Sequence, residues 1–229
     1  VAGLALQVKY SMLFWMVGLT LGLLLTAECR VLLRPSFWIG AALAAVIAAP
    51  SFLWQWAHGF PFLELGAAAK GKNADIAALP FLANQVLVMN PAFAPLWITG
   101  LVAPFTVRRL RDLRFLVIAA VVVVAIVRMG HGKDYYLSPL YPTLFAIGAV
   151  ALAPLVRTRI GGIAIASGVT AAIALSALAA PLALPILSPP VLEAYIKRTG
   201  FVPEQQERSF KGTVLPQVMA DQLGWHDYV

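Results

Sequence analysis

The sequence predicts an all-α polytopic membrane protein with about six transmembrane helices, an outer interfacial helix and the start of a soluble extension. Three observations predict it. Hydrophobic residues fill 61% of the 229 positions and charged residues only 12%, about half the ~25% usual in soluble domains, so lipid must cover much of the surface. Uncharged runs recur at 10–27, 35–57, 76–107, 135–156 and 160–192. Each is close to or above the roughly 20 residues that carry a helix across a hydrocarbon core. Between the runs, arginines gather in short clusters.

The first span is expected over 10–27, where Gly18 and Gly22 stand four apart in the pattern that lets helix backbones approach closely. The second covers 36–56. Asn84, Gln85, Asn90 and Pro91 interrupt the long third run, which reads as an interfacial helix over about 76–89 and a span over 92–107. The Val-rich stretch 115–127 is short, but Arg114 and Arg128 bracket it and can snorkel to the interfaces. That makes a span over 114–129. Its β-branched run 121–124 would favour a strand in water, yet a lone strand in lipid leaves its backbone unpaired. The last spans are 138–155 and 160–180, the latter stopped by Pro181, Pro185, Pro189 and Pro190.

These spans put Arg30, Arg34, Arg108, Arg109, Arg111, Arg114, Arg157 and Arg159 on one side, which the positive-inside rule makes cytoplasmic. Segments 57–91, 130–137 and 181–229 then face outward. The net charge of +7 is explained by these loops, and nucleic acid is not an expected partner. The single cysteine, Cys29, excludes an internal disulfide framework. His58, His131 and His226 lack metal-ligand spacing, so a zinc site is not expected. Residues 1–8 read as the tail of an apolar segment already under way, and the sequence is expected to be a piece of a longer protein.

Unusual polar residues gather on the outer side. Lys9-Tyr10 is either an interfacial anchor or a cation held for an anionic partner. Residues 50–64 run from Pro50-Ser51 through Trp54-Gln55-Trp56 and His58 to Glu64. They form an aromatic belt with a polar loop or, more sharply, an active-site lining that includes His58 and Glu64. In His131-Gly132-Lys133-Asp134-Tyr135-Tyr136-Leu137-Ser138-Pro139-Leu140-Tyr141-Pro142, a cation and three phenols meet at the start of a span. Ammonium and phenol donors suit phosphate oxygens, and anchoring is again the alternative.

In this order, the residues resemble the polytopic GT-C glycosyltransferases that use polyprenyl-phosphate sugars. That class includes protein mannosyltransferases, aminoarabinose transferases and, nearest in pattern, lipopolysaccharide-core galacturonosyltransferases. The resemblance rests on Gly3-Leu4-Ala5-Leu6-Gln7-Val8-Lys9-Tyr10-Ser11, the Trp54-Gln55 to Glu64 stretch, Asn90-Pro91 with Pro95-Leu96-Trp97, and Lys133-Asp134-Tyr135-Tyr136 through Tyr141-Pro142. Leu215-Pro216-Gln217, Ala220-Asp221 and Gly224-Trp225 complete it. Ser51 departs from the pattern, since many relatives carry Asn after the proline.

The resemblance implies transfer of a sugar from a polyprenyl-phosphate donor to a lipid, glycan or protein acceptor, with inversion. It places the reaction on the outer face of a bacterial inner membrane. Residues 1–187 would be the C-terminal part of the transmembrane transferase domain, and 188–229 the beginning of a periplasmic extension. The family's general base lies in a first outer loop, expected upstream of Val1, so no catalytic residue is assigned here and the piece is expected to be inactive alone. Lys9 and Lys133 are the expected phosphate cations, Tyr136 and Tyr141 the hydroxyl donors. His58 and Glu64 would line the acceptor or close over the donor, and the interfacial helix would border the prenyl tail. No cofactor is indicated, and a divalent metal requirement stays open. A secondary transporter or lipid flippase is the alternative, although such proteins favour repeats and midplane ionisable groups that this sequence lacks. In the transferase reading Lys9, His58 and Lys133 converge on one outward cavity reachable from the lipid, and a separation beyond about two helix diameters removes the assignment of these residues.

Overall fold

The computed structural model describes residues 1–72 and 77–200. Position 76, the expected start of the interfacial helix, lies outside the described residues. So do 201–229, with His226 and most of the expected extension.

Every regular element among the described residues is helical. In chain order they are α1 (Ala2–Val8), α2 (Met12–Leu24), α3 (Pro35–Ala57), α4 (Pro61–Lys72) and α5 (Ala78–Val88). After them come α6 (Ala94–Thr106), α7 (Arg114–Met129), α8 (Tyr141–Leu152), α9 (Arg159–Ala183) and α10 (Pro189–Thr199). Short 3₁₀ segments join several of them, including Ala27–Leu33, Arg108–Leu113 and Asp134–Leu140. The valine run of α7 is helical throughout, as expected where lipid offers no strand partner.

Three stretches are long and apolar enough to cross a membrane: Pro35–Ala57, Asp134–Arg157 and Arg159–Ala183. Counting each sharply bent helix pair as one span raises the number among the described residues to five. The two bends account for two of the missing spans, and the shortness of α7 for the third. α2 turns by 113° into Ala27–Leu33, so the expected span 10–27 is a 13-residue helix, about 20 Å long at 1.5 Å per residue. α5 meets the Pro91–Thr106 helix at 97°, and α7 has 16 residues.

Three helix pairs organise the bundle, each seated on glycine. A Cβ at Gly18 would lie 2.8 Å from the Ala119 carbonyl oxygen, and one at Gly22 would overlap the Phe115 carbonyl. Partner numbers fall as α2 advances, so α2 and α7 are antiparallel. Across α6 and α8, a Cβ at Gly100 would overlap the Leu144 carbonyl, and one at Gly148 the Leu96 carbonyl. Trp97 meets Tyr141, and Ala103 shares a cluster with Ile147, so these helices are parallel. α1 and α3 are also parallel: Gly3 abuts Ala44 and Tyr10 reaches Ser51. Without a hydrophobic driving force between helices in lipid, such backbone proximity is the main source of attraction, and a side chain at these positions would remove it.

The core lies where α7 and α8 meet α5, in a cluster of Phe81, Ala120, Val123, Val127, Leu137, Leu140, Tyr141 and Leu144. Directional order puts the α1–α2 junction, the end of α3, the end of α7 and the start of α8 at one end of the bundle.

Candidate functional site

At that end, two short breaks carry the cations. Lys9 terminates α1 with an extended backbone, φ −155°, and the carbonyls of Lys9 and Tyr10 accept the first N–H groups of α2. The chain thus turns with Lys9 exposed at its corner. α7 ends at Met129, and His131 takes the left-handed φ of 53°. Gly132 then donates to the Val127 carbonyl at 2.8 Å, so close that a Cβ would collide with Val127. This helix-ending turn delivers Lys133 and the 3₁₀ segment that follows.

The two breaks meet through aromatic rings. The Lys9 ammonium stands 5.2 Å from the Tyr136 ring centre and that of Lys133 stands 5.7 Å from the Tyr135 ring centre. The two tyrosines touch edge to face, centroids 4.9 Å apart. A ring face attracts a cation, so two ammonium groups from segments 124 residues apart flank one tyrosine pair. Both rings stay accessible, Tyr135 at 46% and Tyr136 at 40%.

Beneath the pair lies a buried polar node. Phe81, Asn84 and Gln85 occupy one face of α5 and are all buried, as the i, i+3, i+4 spacing requires. Asn84 Nδ2 donates to Asp134 Oδ2 at 3.4 Å, and Gln85 Nε2 donates to the Asp134 carbonyl at 3.4 Å. The Tyr141 hydroxyl donates to Gln85 Oε1 at 2.9 Å. Asp134 Oδ1 accepts from the Tyr135 backbone at 2.8 Å, capping the turn from within. Buried polar groups are costly unless paired, and here each side chain answers another.

The remaining expected site residues sit apart. Tyr141 is buried in the core, its hydroxyl committed to Gln85, and is not presented beside Tyr136 as the sequence suggested. His58 stacks on Trp54 at 4.2 Å, and its Nδ1 meets the Trp54 carbonyl at 2.8 Å. It is exposed at the end of α3, and Glu64 is exposed on α4. What joins this corner to Lys9 is the neighbouring Tyr10. Its hydroxyl bonds both the side chain and the carbonyl of Ser51, and its ring packs on Phe52 and Phe62 at 5.5 and 4.8 Å. Ser51 thus makes a polar contact through both its hydroxyl and its carbonyl. The structure brings Lys9, Lys133 and Tyr136 into one contact group, sets Tyr141 in the buried core, and leaves His58, stacked on Trp54, and Glu64 outside that group.

Sequence reasoning missed the pairing of Lys133 with Tyr135, and it missed the node. Asn84 and Gln85 read as interruptions of an apolar run. Two adjacent amides inside such a run need partners of their own, and that requirement was the available signal. No group of three His, Cys, Asp or Glu among the described residues is placed to hold a metal ion. Chemically, the end presents two cations, exposed phenols and a buried polar base, an arrangement able to hold an anion next to apolar helices. Compared with known proteins, the chain has no match among family models, curated proteins or solved structures.

Proposed function

We propose that this chain carries the donor-phosphate part of a membrane glycosyltransferase. The enzyme would take a sugar from a polyprenyl-phosphate carrier and transfer it, with inversion, to a lipid, glycan or protein acceptor. The observation that carries the reading is the convergence of Lys9 and Lys133 on the Tyr135–Tyr136 pair. When the sugar leaves, negative charge develops on the lipid phosphate, and preplaced ammonium groups stabilise that charge more than they stabilise the ground state. Lys9 and Lys133 are the two phosphate ligands in this reading, with the exposed Tyr136 hydroxyl as a further donor. Tyr141, being committed to Gln85, supports the turn from below. His58 and Glu64 remain candidates for the acceptor side, across Tyr10 from the cations.

The setting would be the outer face of a bacterial inner membrane, with six spans: α2, α3, α6, α7, the helix around α8, and α9. Helix directions support this order, since α2 opposes α7 and α6 runs with α8, as alternate crossing demands. With α6 upright, the 97° corner lays α5 along the membrane plane, the expected position of the interfacial helix.

The transporter or flippase alternative gains from one observation, the buried carboxylate of Asp134, since ionisable groups within spans commonly mark ion pathways. Its bonds to the Tyr135 backbone and Asn84 at the mouth of a span fit a structural cap better than a midplane relay.

The test is release of sugar from a polyprenyl-phosphate donor by the intact protein in membranes. Lys133→Ala should lower turnover by about tenfold or more, as expected when one charge-stabilising donor is removed. Unchanged turnover would take Lys133 out of the phosphate role.

A further inference from the structure

Gln85 never reaches the exposed face of the tyrosine pair, yet its single amide touches both ends of the turn that carries the pair. At the turn's exit, Oε1 accepts from the Tyr141 hydroxyl at 2.9 Å. At its start, Nε2 donates to the Asp134 carbonyl at 3.4 Å, while also donating to Phe81 of its own helix at 3.1 Å. Gln85 is 3% exposed, so water has little room to replace either partner. A primary amide combines acceptor and donors on one neutral side chain, which is what meeting a hydroxyl and a carbonyl together requires. Between the two gripped points the chain turns outward through Tyr135 and Tyr136, with Lys133 immediately before the first.

We propose that Gln85 is a positioning residue for the anion site. It acts through Lys133 and Tyr136 by fixing both ends of the turn between α7 and α8, without contacting the ligand. This rests on the reading of that turn as a phosphate site. The shorter bond, to Tyr141, supplies most of the grip, and the two longer contacts to Asp134 from Gln85 and Asn84 set the starting angle.

Two measurements on the full-length protein in lipid nanodiscs test the proposal: affinity for undecaprenyl phosphate, and amide hydrogen exchange over residues 133–140. Gln85→Leu should weaken binding about tenfold and speed exchange in the turn. Lys133→Ala should weaken binding by a similar factor. Because Gln85 acts through Lys133 and Tyr136, adding Gln85→Leu to the double variant Lys133→Ala, Tyr136→Phe should cost less than about twofold more. Independent, multiplying losses would overturn the proposal, as would unchanged exchange in Gln85→Leu. Should Gln85→Leu fail to fold, Tyr141→Phe removes the exit bond alone. It should weaken binding about threefold with the same non-additivity, and additive behaviour there overturns the proposal equally. Full-strength binding by Lys133→Ala overturns the phosphate reading instead, and the exchange data then decide by themselves whether Gln85 fixes the turn.

Discussion

α7 and α9 are both apolar helices begun by arginine, and they are used in opposite ways. α7 has 16 residues and buries Val117, Ala119, Ala120, Val123 and Val127. α9 has 25 residues, is no more apolar residue for residue, and buries only Ala172. In water two helices this apolar would both be drawn inward. Lipid removes that sorting force, because a leucine gains nothing by leaving hydrocarbon for a protein interior. What sorts helices here is the ability to bring backbones together and to pair polar groups. α7 receives Gly18 and Gly22 of α2 and leads into the polar node, whereas α9 faces outward with Ile163, Val169, Ile173 and Leu178 exposed. Burial and hydrophobicity are decoupled.

A charge on the outward helix should break the contrast most severely. Ile173→Arg places a guanidinium where Ile173 is 65% exposed on α9, and an arginine at the centre of a spanning helix costs about 2.5–3.5 kcal/mol to insert. A glycosylation-tag insertion assay should show a clear fall in the inserted fraction, and full insertion would mean that α9 faces water or protein. A pair of substitutions at glycine sharpens the contrast at intermediate size. Gly148→Ala, whose new Cβ would overlap the Leu96 carbonyl, should cost about 2 kcal/mol of stability through overpacking. Gly168→Ala on α9, where nothing lies within 4 Å, should change stability by less than about 0.5 kcal/mol. Thermal unfolding of the purified protein in detergent reads both, and equal costs would refute the division of labour. Smallest is Tyr10→Phe, which keeps the ring contacts with Phe52 and Phe62 but deletes the hydroxyl bonds to Ser51. A loss of about 1 kcal/mol is expected, with α1 loosened from α3 and Lys9 less constrained. Unchanged unfolding would show that aromatic packing alone holds that corner.

The helical class was readable because lipid simplifies the problem: apolar runs of sufficient length become helices whatever their β-branched content, as α7 illustrates. Boundaries at 36–56, 114–129 and 160–180 lie within a few residues of α3, α7 and α9, since proline or arginine marks nearly every end. The expected span 10–27 ended early because the sharp bend after α2 occurs at Leu25-Thr26, where neither proline nor glycine signals it. Thr26 instead turns its hydroxyl back onto the Gly22 carbonyl at 3.0 Å, a local competitor to the helix that composition does not reveal. For the site, residue types at a span entrance led to Lys9, Lys133 and Tyr136, which the structure joins through one pair of rings. Tyr141, expected with Tyr136 as a hydroxyl donor, lies in the core for a rotational reason. Tyr141 opens α8 and its side chain follows that helix into the core, while Tyr135 lies on a 3₁₀ turn that eclipses every third residue, so Leu137 and Leu140 point inward and Tyr135 and Tyr136 point out.

Asn90 makes the right-angled corner between α5 and α6 with a φ of 65°, and the same side chain works in two further directions. Its Oδ1 accepts from the Ala92 backbone at 3.0 Å, and its Nδ2 reaches the Ala172 carbonyl and the Ser176 hydroxyl of α9 at 2.9 and 3.0 Å. Glycine would tolerate the dihedral but hook nothing, aspartate would accept from Ala92 yet repel the Ala172 oxygen, and glutamine is too long to close the local ring. The twenty-letter alphabet therefore offers this position essentially one solution, and drift elsewhere along α9 is free to continue as long as a carbonyl remains within reach of that amide.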